Sequence, residues 1–243
     1  MTKLSHKKSA QRLTGRVALV TGASRGIGAA VAKAFASEGA HVILLARTVG
    51  ALEEVDDAIQ AAGGTATLLP MDLTKPDQIG AIGPALAEKF KRLDILVANA
   101  GILGNLSPVA MSDPKMWENV YKINVMANYH LIRTLDPLLR GSDAGRAIFV
   151  TSGAAHMHMP FWGAYASSKA ALEEMVAAYA EEVAHSGLKV NILDPGVVRT
   201  TMRSEAFPGE DPSSLPAPDS IVESFIELAS PQHEKTGKIV RAA

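Results

Sequence analysis

Seven short runs of aliphatic and β-branched residues recur along the chain, and longer stretches with apolar residues at helical spacing lie between them. The runs are Val17 to Thr21, His41 to Ala46, Thr65 to Met71, Ile95 to Ala98, Ala147 to Thr151, Val190 to Leu193 and Ile239-Val240. They are apolar throughout instead of alternating, which is the pattern of strands covered on both faces in a parallel sheet. Ile27, Ala30, Val31, Ala34 and Phe35 form one helical stripe, stopped by Gly39. Leu52, Val55 and Ile59 form another before Gly63-Gly64. A weaker helix is expected from Thr74 to Phe90, with Thr74 and Asp77 as a capping pair and Gly80, Gly83 and Pro84 interrupting its middle. Strands alternating with helices predict an α/β fold, a doubly wound parallel sheet whose ligands bind at the carboxyl ends of the strands.

Composition acts mainly by exclusion. A hydrophobic share of 47% with 20% charged residues is that of a globular protein. A net charge of −1 leaves no basic footprint for nucleic acid or an acidic membrane. With no cysteine, disulfides and thiol chemistry are excluded. The seven histidines do not fall at metal-ligand spacing, so no metal site is expected, and His156 and His158 read as loop residues. No apolar run approaches the ~20 residues of a membrane span. The first 15 residues carry no apolar signal core, which leads to the expectation of a cytoplasmic protein. That stretch, with Lys3, Lys7, Lys8 and Arg12, reads as a flexible, solvated extension before one domain over residues 16–243.

Two places carry chemistry. Thr21-Gly22-Ala23-Ser24-Arg25-Gly26-Ile27-Gly28 follows the first strand and opens the first helix. Its glycines let the backbone turn sharply and approach a pyrophosphate, whose charge a helix N-terminus favours. The second strand closes with Ala46-Arg47-Thr48, where an NAD-selective fold would place an acid for the ribose 2′-OH. An arginine there suits a 2′-phosphate, and Arg25 adds a second positive charge, so the cofactor expected is NADP(H). The second place is Tyr165 and Lys169, four apart at the start of a helical pattern and so on one face. A phenol of ordinary pKa about 10 is a poor base at pH 7, and an adjacent ammonium favours the phenolate. This spacing alone is weak evidence, since it arises readily by chance. Ser152, at the end of the fifth strand, is placed to donate to a carbonyl oxygen as charge develops there, although turn chemistry alone also explains a serine at that point.

With these residues assembled, the sequence closely resembles the short-chain dehydrogenase/reductase family, from about Arg16 to Val240, in its form of one Rossmann-like domain. Thr21 to Gly28 matches the family's cofactor turn, and Asp72 its adenine-contacting acid, with Leu73 beside it. Asn99-Ala100-Gly101 matches the segment after the fourth strand, and Asn124 the helix asparagine. Ser152 precedes Tyr165 by 13 residues. Pro195-Gly196 with Val198 and Thr200 matches the segment that holds the nicotinamide amide. The resemblance implies that Tyr165 is the general acid in reduction and the base in oxidation. It further implies that Lys169 lowers the Tyr165 pKa and binds the nicotinamide ribose, that Ser152 orients the carbonyl, and that Asn124 anchors a water relay. It also implies a homodimer or homotetramer, with Met126, Tyr129, Leu131, Ala178 and Tyr179 as candidates for the buried face.

Residues Met202 to Pro218 look like a lid over the site, and Met157, Met159, Phe161 and Trp162 like a second wall, which suggests an apolar carbonyl or alcohol substrate. Two other functions stay open: a redox sensor that binds the dinucleotide without turnover, and other cofactor-dependent chemistry such as epimerisation.

Overall fold

The computed structural model describes residues 11–242. Seven strands, β1 (Val17–Thr21), β2 (His41–Ala46), β3 (Thr65–Pro70), β4 (Ile95–Ala98), β5 (Arg146–Val150), β6 (Lys189–Asp194) and β7 (Ile239–Arg241), form one sheet. Their order is β3-β2-β1-β4-β5-β6-β7, and every neighbouring pair is parallel. The helices are α1 (Gly26–Ser37), α2 (Val49–Ala61), α3 (Pro76–Gly80), α4 (Ile82–Phe90), α5 (Pro114–Tyr121), α6 (Ala127–Gly141), α7 (Gly163–Glu182), α8 (Thr201–Ala206) and α9 (Val222–Ala229). The direction of winding reverses between β1 and β4, and the two loops leaving those strands part there to open a crevice.

Continuous apolar runs follow from two cores. Ala18, Val20, Val42 and Leu44 point to one face, against Phe35, Leu52 and Phe225. Leu19, Ile43 and Leu45 alternate with them and point to the other face, against Leu86, Leu131 and Leu172. A strand with both faces covered needs apolar residues at every position. The edge strands β3 and β7 lack that double cover and are partly exposed.

The expected helix from Thr74 to Phe90 is two helices that meet at Ala81. Thr74 does not cap it: Lys75 holds the N-cap position, Pro76 opens α3, and the Thr74 N–H donates to Asp72 Oδ1 at 2.9 Å. Gly83 has a packing reason, because a Cβ there would stand 2.1 Å from the Thr134 carbonyl oxygen on α6. The expectation of a flexible extension reaching residue 15 is also corrected. Leu13 is wholly buried, its N–H donates to the Glu38 carbonyl at 2.9 Å, and Arg12 bridges Glu38, which caps the end of α1, to Glu223 on α9 at 3.1 and 2.6 Å. An apolar side chain that finds core space orders the residues beside it. Residues 1–10, with Lys3, Lys7 and Lys8, lie outside the described residues.

At the amino ends of the central strands, opposite the crevice, Asp94 is a hub. Its carboxylate accepts from the Val17 N–H at 2.9 Å, from Arg92 and Arg16, and from the Ser142 hydroxyl. Its own backbone pairs with Val17 and Arg146, so one residue ties the starts of β1, β4 and β5. Burial pushes the Asp94 carboxyl up, but Arg92, Ser142 and the Val17 N–H together hold it below its ordinary value.

Candidate active site

The crevice is a cleft of about 670 Å³ along the carboxyl ends of the strands. At one end the turn after β1 is shaped by close backbone approach. Gly22 and Gly26 have φ of +66° and +56°, a region that L side chains rarely adopt. A Cβ on Gly28 would lie 2.2 Å from the Gly22 carbonyl oxygen, so no side chain fits there. Thr21 and Gly28 stand behind the surface and hold the turn in shape: Thr21 Oγ1 accepts from the Asn99 and Ala100 N–H groups, both at 3.0 Å. Asn99 Nδ2 returns a bond to the Thr21 carbonyl at 2.9 Å. Ser24, Gly26 and Ile27 line the cleft where α1 begins, and Arg25 at its N-cap makes no capping bond, so the first N–H groups of α1 remain available to an anion.

Arg25 and Arg47 both line this end and are both exposed. Among the described residues neither forms an ion pair. Asp72 and Leu73 face them from the end of β3. The Asp72 carboxyl is held below its ordinary range first by the Thr74 N–H, with Arg47 adding its charge. Two unpaired guanidinium groups, an open helix N-terminus and a glycine cradle are what a phosphorylated dinucleotide requires.

Ser152, Tyr165 and Lys169 come together at the other end, with Gly101 between the two halves. Tyr165 and Lys169 stand one turn apart on α7 and are nearly wholly buried. Lys169 Nζ lies 5.8 Å from the Tyr165 ring centre and donates to the Val150 carbonyl at 2.8 Å. A side chain at Gly101 would crowd both partners, with its Cβ 3.3 Å from Asn124 Oδ1 and 3.4 Å from Lys169 Nζ. Ser152 Oγ accepts from the Ala154 N–H at 3.2 Å, so its own hydrogen is free to donate. Asn124 sits on a π-turn over Lys122–Met126 between α5 and α6, fully buried behind the cleft. Its side chain is spent on the Ile102 N–H, the Ile102 carbonyl and the Ser168 hydroxyl. Its backbone carbonyl accepts from Asn128 Nδ2 at 2.8 Å.

The electrostatics differ from the sequence expectation. Burial raises the Tyr165 phenol above its ordinary value, Ser152 opposes the shift, and Asp194 adds to it. Burial also lowers Lys169 to about 8, against the charge of Glu173. In this protein, therefore, burial with Asp194 outweighs the Ser152 bond, and the phenol keeps its proton at neutral pH.

Pro195, Gly196, Val198 and Thr200 close the cleft from the end of β6, and Thr200 caps α8 through the Arg203 N–H at 3.2 Å. Met202, Arg203 and Ala206 on α8 line the same side. Arg203 pairs with Glu210 through two bonds of 2.6 and 2.7 Å and covers the Phe207 ring at 3.8 Å. Phe207 then meets Trp162 at 5.6 Å, and Trp162 meets Tyr165 edge-on at 5.9 Å. Of the four residues expected in the second wall, only Trp162 lines the cleft. Met157 and Phe161 are 61% and 55% exposed, and Phe161 takes a φ of +74° at the turn before Trp162. Trp162 is then the one that faces Tyr165. Thr48 and Ile102 also line the cleft and carry no sequence signal of their own. Leu131 and Tyr179, expected at a subunit face, are core residues, whereas Met126, Tyr129 and Ala178 are exposed. No helix among the described residues is long and apolar enough to cross a membrane.

Comparison with known proteins gives one family. A family model described as short chain dehydrogenase matches residues 16–211. The uncharacterized oxidoreductase YciK of Escherichia coli K12 is 38% identical over 229 residues, covering 93% of this chain and 90% of that protein. A 3-oxoacyl-[acyl-carrier-protein] reductase of Synechocystis is 34% identical, covering 78% and 77%. Among solved structures, a short chain dehydrogenase from Escherichia coli CFT073 complexed with NADPH superimposes with a TM-score of 0.92 at 37% identity, covering 96% of this chain and 98% of that one.

Proposed function

The chain belongs to the short-chain dehydrogenase family, and from that premise we propose that it is an NADP(H)-dependent oxidoreductase acting on an apolar carbonyl or secondary alcohol. One observation carries the reading: a buried, protonated phenol beside a free serine hydroxyl shares a cleft with two unpaired arginines. Relatives in complex with NADP and NADPH support the choice of cofactor.

When bound, the dinucleotide supplies or accepts the hydride. Arg25 and Arg47 hold its 2′-phosphate, the turn from Gly22 to Gly28 and the N-terminus of α1 take the pyrophosphate, and Asp72 with Leu73 borders the adenine. Asn99, Ala100 and Gly101 form the floor, while Pro195, Gly196, Val198 and Thr200 hold the nicotinamide amide. Lys169 spends one of its three N–H groups on Val150 and keeps two for the ribose hydroxyls. Ser152 donates to the substrate oxygen, and Tyr165 gives that oxygen its proton as negative charge develops. A phenol that burial keeps protonated is poised for this direction, reduction. In this direction Tyr165 regains its proton from solvent through a water relay anchored by Asn124.

A panel of ketones and aldehydes with NADPH, followed by loss of absorbance at 340 nm, tests the reading. At least one should be reduced, and Tyr165→Phe should then lose turnover by roughly 10³-fold, within the usual range for a general acid, with NADPH affinity nearly unchanged. A variant that kept its rate would remove Tyr165 from the chemistry. NADPH binding without turnover of any carbonyl would favour a sensor instead.

A further inference from the structure

Glu173 is a buried carboxylate that the chemistry above leaves without a task. It lies on α7 one turn beyond Lys169 and two beyond Tyr165, so all three share one face of the helix. Only 7% of it is exposed. Both oxygens are engaged: Oε1 accepts from the Thr151 hydroxyl, and Oε2 lies 2.9 Å from His156 Nε2. Lys169, 4% exposed, has no acid within ion-pair distance among the described residues, and its one recorded partner is the neutral Val150 carbonyl. A buried cation in that position lacks a counter-charge unless one stands nearby. Val150, Thr151 and Ser152 are consecutive, so Lys169 and Glu173 grip neighbouring residues of the strand end that presents the serine.

We propose that Glu173 is a positioning residue for Lys169: fixed by Thr151 and His156, its carboxylate offsets the burial of the Lys169 ammonium and keeps that side chain a cation beside the phenol. The inference rests on the reading of Tyr165 and Lys169 given above. Four other groups bear on the cluster. Tyr165 and Lys169 come from α7, His156, 63% exposed, from the loop after β5, and Asp194 from the end of β6, where its charge acts on the phenol. Beside these, Glu173 is the group whose charge opposes the loss of the Lys169 proton. Without it, burial would act on Lys169 unopposed and leave a growing fraction of neutral amine at neutral pH.

The test is a lysine titration followed by carbon NMR on protein labelled at lysine Cε, with no dinucleotide added. The resonance that disappears in Lys169→Arg identifies the group. Glu173→Gln fills the same volume and keeps an oxygen for Thr151, so packing loss alone does not move the midpoint. The expected result is a Lys169 midpoint lower by about one pH unit, a tenfold change in the acid constant, with Glu173→Asp in between because its charge is drawn back toward the helix. Equal midpoints in the three proteins overturn the proposal. Should Glu173→Gln not fold, Glu173→Asp against the unaltered protein decides in the same way: a lower midpoint supports the proposal and an equal one overturns it. Since no turnover is read, a chain that reduced no carbonyl would refute the assigned activity while leaving this measurement intact.

Discussion

The two ends of the cleft are built by different means. At the adenine end, position is set by backbone: glycines that admit no Cβ, Thr21 and Asn99 bonded to main-chain groups, and the first turn of α1. At the substrate end, position is set by side chains resting on side chains, in a column from Arg203 through Phe207 and Trp162 to Tyr165. Main-chain constraints tolerate few residue types, whereas a stack of rings can be rebuilt from others of similar size. The first end should therefore break under a single methyl group, and the second should bend.

Gly28→Ala offers the sharpest contrast. Its Cβ collides with a carbonyl oxygen that cannot move without reshaping the turn. NADPH affinity should fall by roughly 100-fold, about 2.8 kcal/mol, in a fluorescence titration. An affinity within threefold of the unaltered protein would show that the turn is softer than its geometry implies. Arg47→Asp comes next. It removes a charge-assisted contact worth about 1.5–3 kcal/mol and places an acid where NAD is favoured. The ratio of NADP to NAD dissociation constants should shift by roughly 10- to 100-fold toward NAD, and an unmoved ratio would leave phosphate recognition to Arg25. Trp162→Ala should have the smallest effect. Losing two ring contacts of about 0.5–1.5 kcal/mol each should change KM for an accepted carbonyl by up to about tenfold, with NADPH affinity untouched. If NADPH binding weakened as much as KM rose, the two ends would not be separate.

The same division decides what can be read from sequence. All seven strands lie within one or two residues of their apolar runs, and in the inner five, covered on both faces, few positions are free to be polar. Glycine turns and strand-end residues are legible for a related reason: few residues can replace them. The orientation of the loop before Tyr165 is not legible. It depends on a left-handed Phe161, and nothing in that residue type announces a conformation that costs about 1–2 kcal/mol. Leu13 was hidden by the charged residues around it. Glu173 was hidden differently, since a glutamate in a helix ordinarily faces water, and only Thr151 and His156, distant in sequence, hold it inside. The sign of the Tyr165 shift needed a measure of burial, which spacing along a helix does not contain.

Asp94 stands at the amino ends of the central strands, away from the cleft, yet it bears on the chemistry. β1, β4 and β5 are all anchored at their starts to this one residue, and Thr21, Asn99 and Ser152 lie at their other ends, roughly 15 Å away at 3.3 Å per residue. A slip by a single residue in any of these strands would turn its terminal side chain to the opposite face. The hub thus acts as a common datum from which three positions lining or supporting the cleft are measured, and the alignment of two hydroxyls and an amide is a matter of levelling done at the base.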